Sequence, residues 1–409
     1  MKRPLLILAF SLCGTAAVVA FFVARSPFVS LSRVRMMVAS VFFTESATPE
    51  GIQALYDRAL QGGGKVRVLI VPGHDDASWG TEFRGVREAD VTALLGEELT
   101  RFLSSDDAFQ PILVRGRRGY APGFEEYLEK EKNAVSAFVA DRKKTMGELL
   151  QKGAVEKRIH VIHNKASSDT AERLYAINTW ANEHGVAIVL HLHFNDYPGR
   201  REGRPGRYDG FSLYVPDSQF SNARASRRIA ESLFKQFSEF YAPSNLPIEG
   251  GGMVEDQSLI AVGAHNTLDA ASVLIEYGYI YEERFRSGEV REAAVRELAF
   301  QTYQGLNRFF GKGKEALPKY PTTLLPHMWQ KPPLQGVAQS PDVLSLQIAL
   351  LFEGLYPPQG KSLRDCPLTG SFGPCTGSAV RNLQKKYGIF ESGSVDESTL
   401  ARLNELYSH

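Results

Sequence analysis

Along the first two thirds of the chain, short apolar runs alternate with longer stretches of helical periodicity. Val66 to Val71 is a β-rich run that ends in Pro72-Gly73, the pattern of a buried strand feeding a loop. Glu88 to Leu103 places Val91, Leu94, Leu95, Leu99, Phe102 and Leu103 on one face of an amphipathic helix. Strand-like runs recur at Pro111–Arg115, Ile159–His163, Val186–His193, Gly210–Val215 and Ala271–Tyr277, with helical stretches between several of them. That alternation predicts an α/β sheet with helices on its faces.

Other segments break the rhythm. Phe124 to Lys152 is long, charged and helical, and reads as a solvated helix or a lid. Residues 26–65 read as a membrane-proximal stalk and a first helix, ending at Gly62-Gly63-Gly64. From 313 to 340 the chain carries Pro318, Pro321, Pro326, Pro332 and Pro333, a linker composition. Beyond it, Val343, Leu346, Gln347 and Leu350, then Val380, Leu383, Gln384 and Tyr387, then Thr399, Leu400 and Leu403, fall at helical spacing. The expected organisation is therefore a main domain over 66–312, a linker over 313–340 and a three-helix module over 341–409.

The N-terminus changes the compartment. Lys2 and Arg3 precede an uncharged run from Pro4 to Ala24, closed by Arg25. As a helix that run would rise about 30 Å, the thickness of a bilayer core. Residues 1–25 are thus expected to form a transmembrane anchor or a signal segment, with Cys13 inside it and the rest of the chain exported. Lys+Arg is 47 against Asp+Glu 46, so the basic excess of a large nucleic-acid footprint is missing. Three cysteines in 409 residues exclude a disulfide-built scaffold.

The candidate chemistry lies at strand ends. His74 follows Val71-Pro72-Gly73, and Glu88 opens the amphipathic helix. His191-Leu192-His193-Phe194-Asn195 closes another apolar run, where alternation puts His191 and His193 on one face if the strand continues through them. Glu276 ends Ala271-Ser272-Val273-Leu274-Ile275, a run too apolar for a surface strand. Imidazole and carboxylate suit zinc, and a catalytic zinc keeps three protein ligands with one position open to water. There is no His-Glu-x-x-His helix, so spacing alone does not define the set.

Ile70-Val71-Pro72-Gly73-His74, Arg87-Glu88, His191-Leu192-His193-Phe194-Asn195 and Val273-Leu274-Ile275-Glu276-Tyr277-Gly278, in that order, resemble the zinc-dependent N-acetylmuramoyl-L-alanine amidases of the type 3 family. The resemblance implies a mixed sheet flanked by helices, Zn2+ held by His74, Glu88 and His193, and Glu276 as the catalytic base. It implies hydrolysis of the amide between N-acetylmuramic acid and the first L-alanine of the stem peptide. Asp75-Asp76-Ala77-Ser78-Trp79 departs from the glycine-rich stretch usual after the first His. His191 stands where the family has Ser, an extra ligand or a neighbour of the site. Asn195 is expected near the site. Arg200, Arg201, Arg204 and Arg207 begin five residues after Asn195 and offer guanidinium groups for stem-peptide carboxylates.

In the C-terminal module, Leu346-Gln347, Gly370-Ser371-Phe372-Gly373, Ala379-Val380-Arg381-Asn382-Leu383-Gln384 and Gly393-Ser394-Val395-Asp396 resemble a peptidoglycan-binding type 1 domain. Peptidoglycan is the partner this implies. An exported module this small can use a disulfide between Cys366 and Cys375, which flank its glycine turn. The whole reads as a cell-envelope amidase outside the cytoplasmic membrane. A zinc peptidase cutting within stem peptides and a non-catalytic wall-binding protein are the alternatives.

Overall fold

The computed structural model describes residues 47–158, 166–196, 199–201, 203–263, 270–311, 319–332, 336 and 339–409. The expected membrane segment with Cys13, most of the stalk and the strand expected at Ile159–His163 lie outside the described residues. Among those described, no helix is long and apolar enough to cross a membrane.

Helix α1 (Pro49–Leu60) starts on Thr48, whose hydroxyl accepts the Gly51 N–H. Strand β1 (Val66–Pro72) leads through a two-strand hairpin, β2 (Glu82–Phe83) and β3 (Val86–Arg87), into α2 (Glu88–Ser104). Then come β4 (Phe109–Leu113) and the short β5 (Arg115–Gly116) and β6 (Gly119–Tyr120). The charged stretch forms two helices, α3 (Pro122–Lys130) and α4 (Lys132–Gln151), which break at Glu131. Its buried apolar side chains are Phe124, Val135, Met146 and Leu149, so most of its surface is solvated as its composition demands. Helix α5 (Ser168–Glu183), strands β7 (Ile188–Asn195) and β8 (Ser212–Pro216), and helix α6 (Ala223–Ser238) follow. Strands β9 (Met253–Asp256) and β10 (Ala271–Tyr279) and helix α7 (Gly288–Phe309) complete the main body.

Six strands form one sheet in the order β4-β1-β7-β10-β8-β9. All neighbours are parallel except β10 and β8, so the sheet is mixed. Alternation along each strand divides its residues between two cores. Val68, Ile70, Leu190, Leu192, Val273 and Ile275 face α2, α6 and α7. Leu69, Val71 and Val189 face the other way, against Ile177 and Ala181 of α5 and Phe124 of α3. Leu95, Leu99 and Leu103 of α2 are fully buried, each contributing about 1.5–3 kcal/mol.

The C-terminal module is α8 (Pro341–Phe352), α9 (Pro374–Tyr387) and α10 (Glu397–Tyr407). Its core is continuous with that of α7 and the sheet. The proline-rich segment expected as a linker does not run free where it is described. Trp329 is buried, its indole N–H donates to the Asp342 carbonyl, and its backbone exchanges two hydrogen bonds with Asn404. Thr323 donates through both its backbone N–H and its hydroxyl to Glu297 of α7. Prolines removed the donors that would make a regular element here, but the aromatic and hydroxyl groups between them still found partners.

Candidate metal and catalytic site

Strands β1, β7 and β10 lie side by side and run parallel, so their C-terminal ends open on one edge of the sheet. Ligand sites of open α/β sheets lie at such edges. His74 comes two residues after β1, His193 near the end of β7, and Glu276 pairs with His193 in register on β10. Glu88 is the first residue of α2, whose backbone turns in from the β2–β3 hairpin.

Glu88 is 3% exposed and sits between the two imidazoles. Its Oε1 accepts from the Phe194 N–H at 3.0 Å and lies 3.0 Å from His193 Nδ1. Its Oε2 accepts from the Thr81 N–H at 3.0 Å and lies 3.3 Å from His74 Nε2. One donor atom from each of His74, Glu88 and His193 falls within 4.8 Å of the others. His74 Nδ1 is 3.2 Å from the Ser78 carbonyl, an orientation that turns Nε2 inward. His74 also has φ of 64°, a left-handed backbone that costs a non-glycine residue about 1–3 kcal/mol. Strain of that kind at the end of a strand is consistent with a side chain aimed for function.

Charge in the site follows from burial. Burial drives the His74 pKa below its ordinary value despite Glu88 beside it, which keeps the imidazole neutral and able to ligate. Burial would raise Glu88, but His193, His74 and the Thr81 N–H outweigh it and hold the carboxylate ionised. Glu276 goes the other way: burial first, then the charges of Glu88 and Glu249, push it well above the carboxylate range. Its Oε2 is buried without a hydrogen-bond partner. Two imidazoles, an ionised carboxylate between them and a buried acid beside them fit a zinc ion with a base at its side.

The other predicted residues fall as follows. His191 is buried on the same face of β7 but is not among the three grouped donors, and burial takes its pKa down to about 3. Asn195 donates to Glu249 Oε1 at 2.7 Å. Arg200 is committed to structure, with bonds to both oxygens of Asp196 and to the Glu82 carbonyl, over the rings of Phe83 and Tyr281. Arg201, Arg204 and Arg207 are exposed. Cys366 and Cys375 are joined in a disulfide.

Two residues escaped sequence reading. Glu249, fully buried at the end of a single 3-10 turn, accepts from Asn195 and, at 2.9 Å, from the Tyr214 hydroxyl. The signal available was Gly250-Gly251-Gly252 directly after it, all three at positive φ, which turn the chain sharply inward. Arg115, 6% exposed, donates to the carbonyls of Gly73 and Ala89 and to the Thr92 hydroxyl. It ties the loop that carries His74 to the start of the helix that carries Glu88. An arginine at the end of an apolar run was the only hint.

Residues 339–403 match the family model described as putative peptidoglycan binding domain. That match spans α8, α9 and most of α10. Curated proteins give no match to the chain. Among solved structures the chain is similar to the CwlD amidase from Clostridioides difficile in complex with the GerS lipoprotein, at 12% identity and TM-score 0.39, over 61% of this chain and 100% of that one. It is similar to the N-acetylmuramyl-L-alanine amidase of Mycobacterium smegmatis at 16% identity and TM-score 0.39, over 61% and 100%. The catalytic domain of CwlV, an N-acetylmuramoyl-L-alanine amidase from Bacillus (Paenibacillus) polymyxa var. colistinus, gives 15% and 0.37, over 61% and 99%. Global similarity of that size is low, and the functional conclusion is carried by the four side chains and the C-terminal match.

Proposed function

We propose that this protein is a zinc-dependent hydrolase of the amide between N-acetylmuramic acid and L-alanine in peptidoglycan, acting in the cell envelope. The observation that carries this reading is the convergence of His74, Glu88 and His193, with Glu276 paired to His193 on the next strand. The C-terminal peptidoglycan-binding domain supports the polymer as substrate. Binding to an insoluble polymer raises the effective concentration of its bonds around the site.

His74, Glu88 and His193 would hold the metal. When bound, zinc supplies Lewis acidity toward a carbonyl oxygen and lowers the pKa of a water molecule. Glu276 is the proton carrier. Its burial makes it a stronger base than an exposed carboxylate, able to take a proton from the attacking water and return it to the leaving alanine nitrogen. Glu249 and Tyr214 hold Asn195 in place at the end of β7. The exposed Arg201 and Arg204 offer guanidinium groups to stem-peptide carboxylates. The N-terminal apolar run would anchor the enzyme to the cytoplasmic membrane.

Elemental analysis should find one zinc per chain, and mass spectrometry of digested peptidoglycan should find stem peptides released with a free L-alanine amine. A zinc-free active enzyme, or products cut inside the stem peptide, would overturn the assignment.

A further inference from the structure

Among the described residues, Trp79 is one of the few large apolar side chains left in the open, at 43% exposure. Its position is fixed by backbone bonds on both sides. Asp75 and Ser78 form an isolated antiparallel bridge, and Asp75 Oδ1 accepts the N–H groups of Ala77 and Ser78. The Trp79 carbonyl accepts the Ala89 N–H of α2, and the Thr81 carbonyl accepts that of Glu88. The next residue, Gly80, touches the metal triad itself: a Cβ there would lie 2.4 Å from Glu88 Oε2 and 2.6 Å from His74 Cδ2. Trp79 is therefore the chain neighbour of a glycine that packs on two of the three candidate ligands. It does not fill the core, and nothing in its burial explains so large an apolar group at that spot.

Arg87 completes the arrangement. Its guanidinium lies 4.8 Å from the Trp79 ring centroid and is itself half exposed, with a loose 3.9 Å contact to Glu82. A planar cation over an indole stiffens both groups. The pair presents an apolar ring surface next to several hydrogen-bond donors, on the chain segments that lead to Gly80 and Glu88. The apolar C–H face of a pyranose stacks on such a ring, and its hydroxyl and acetamido oxygens accept from such donors.

We propose that Trp79 and Arg87 form the subsite for the sugar ring on the acyl side of the scissile amide. This rests on the amidase reading, in which only a lactyl group separates the muramic acid ring from the amide carbonyl, so the ring must lie beside the metal. The subsite makes the enzyme selective for amides whose acyl part carries a saccharide.

The test uses the full chain and two ligands, N-acetylmuramyl-L-alanyl-D-isoglutamine and its analogue with the sugar cut back to a methyl ether of the lactyl group. Trp180 stacks on His184 and Trp329 is buried, so a sugar-specific change in indole fluorescence reports on Trp79. The parent should show a saturable change with the muramyl compound alone, and Trp79→Phe should lose it. In kinetics, Trp79→Ala should lower the ratio of kcat/KM for the muramyl substrate over the sugarless one by roughly tenfold, with Trp79→Phe restoring part of it. An unchanged ratio, or a fluorescence change that persists in Trp79→Phe, overturns the subsite. The two readings fail separately. Sugar-specific fluorescence with no hydrolysis in the parent keeps the subsite and sinks the amidase, whereas hydrolysis with no sugar preference does the reverse.

Discussion

At Gly73 and Gly80 a methyl group has nowhere to go. A Cβ on Gly73 would lie 2.3 Å from His193 Cε1, and one on Gly80 would meet Glu88 and His74 from a backbone already at φ of 76°. These two positions let the chain pass close enough for three donors from three elements to share one point. Gly80→Ala should therefore cost zinc affinity about 10- to 100-fold, the scale for disturbing groups that orient ligands, read by competition with a fluorescent chelator. Unchanged affinity would mean the loop yields freely. Glu276→Gln separates holding the metal from moving the proton. It should keep the zinc and lower turnover about 100-fold or more, because the amide keeps the size and loses the base. Loss of metal in that variant would make Glu276 a ligand instead.

At the scale of elements, five strands of the main sheet were legible because each is a short β-rich run closed by turn residues, as with Val66–Pro72 and Ala271–Tyr279, whereas β9 (Met253–Asp256) and the order of the strands in the sheet were not. The grouped donors were legible because His74 and His193 sit at those closures and Glu88 opens the amphipathic helix. What could not be read is how the elements are tied. Arg115 looks like the polar end of a strand, yet it bonds the β1 loop to α2 through two carbonyls and a hydroxyl. Glu249 looks like a loop acid and is buried. Both depend on contacts distant in sequence, which no local pattern encodes. Arg115→Met should destabilise the protein by about 2–3 kcal/mol, since bonds to a buried charge are lost and their acceptors stay dry, and thermal melting measures it. Glu353 plays a comparable part in the C-terminal module, where its two oxygens accept from the hydroxyls of Tyr407 and Tyr387 and from Lys386. Burial would raise its pKa, but these donors outweigh it and hold it below the ordinary 4.5. The stabilisation it gives is thus complete above that value and lost as pH falls through the lower folded-state one. Glu353→Gln should remove this part of the acid sensitivity in denaturant titrations between pH 3 and 7; an identical pH profile would show that the carboxylate contributes nothing.

For the whole molecule, the question is whether wall binding and catalysis sit on separable parts. A proline-rich stretch before a small helical domain predicts a tether, and a tether predicts that removing the domain spares turnover on soluble fragments. The structure argues for the opposite outcome. Gln339 donates to the Glu283 carbonyl, Ser371 to the Glu283 carboxylate, and Arg364 reaches Asp209 and the Pro243 carbonyl. Gly370 packs so close to Val290 of α7 that a Cβ would lie 3.0 Å from it, and Phe352 meets the ring of Phe240. Helix α7 in turn packs against α2 and α6, and its Thr302 hydroxyl shares a hydrogen bond with that of Tyr277 on β10. Deleting 339–409 would leave that apolar seam and several buried polar partners open to water. We expect the truncated chain to melt several degrees lower, since about 1 kcal/mol already moves the midpoint of a body this size by roughly 2–4 °C. Turnover on a soluble muramyl peptide should fall along with wall sedimentation. Docking of this kind would fix the distance between a wall-bound module and the cluster of His74, Glu88 and His193, which a flexible tether cannot do. A truncated chain with the parent's melting temperature and soluble turnover would show instead that the seam is passive and the module an independent anchor.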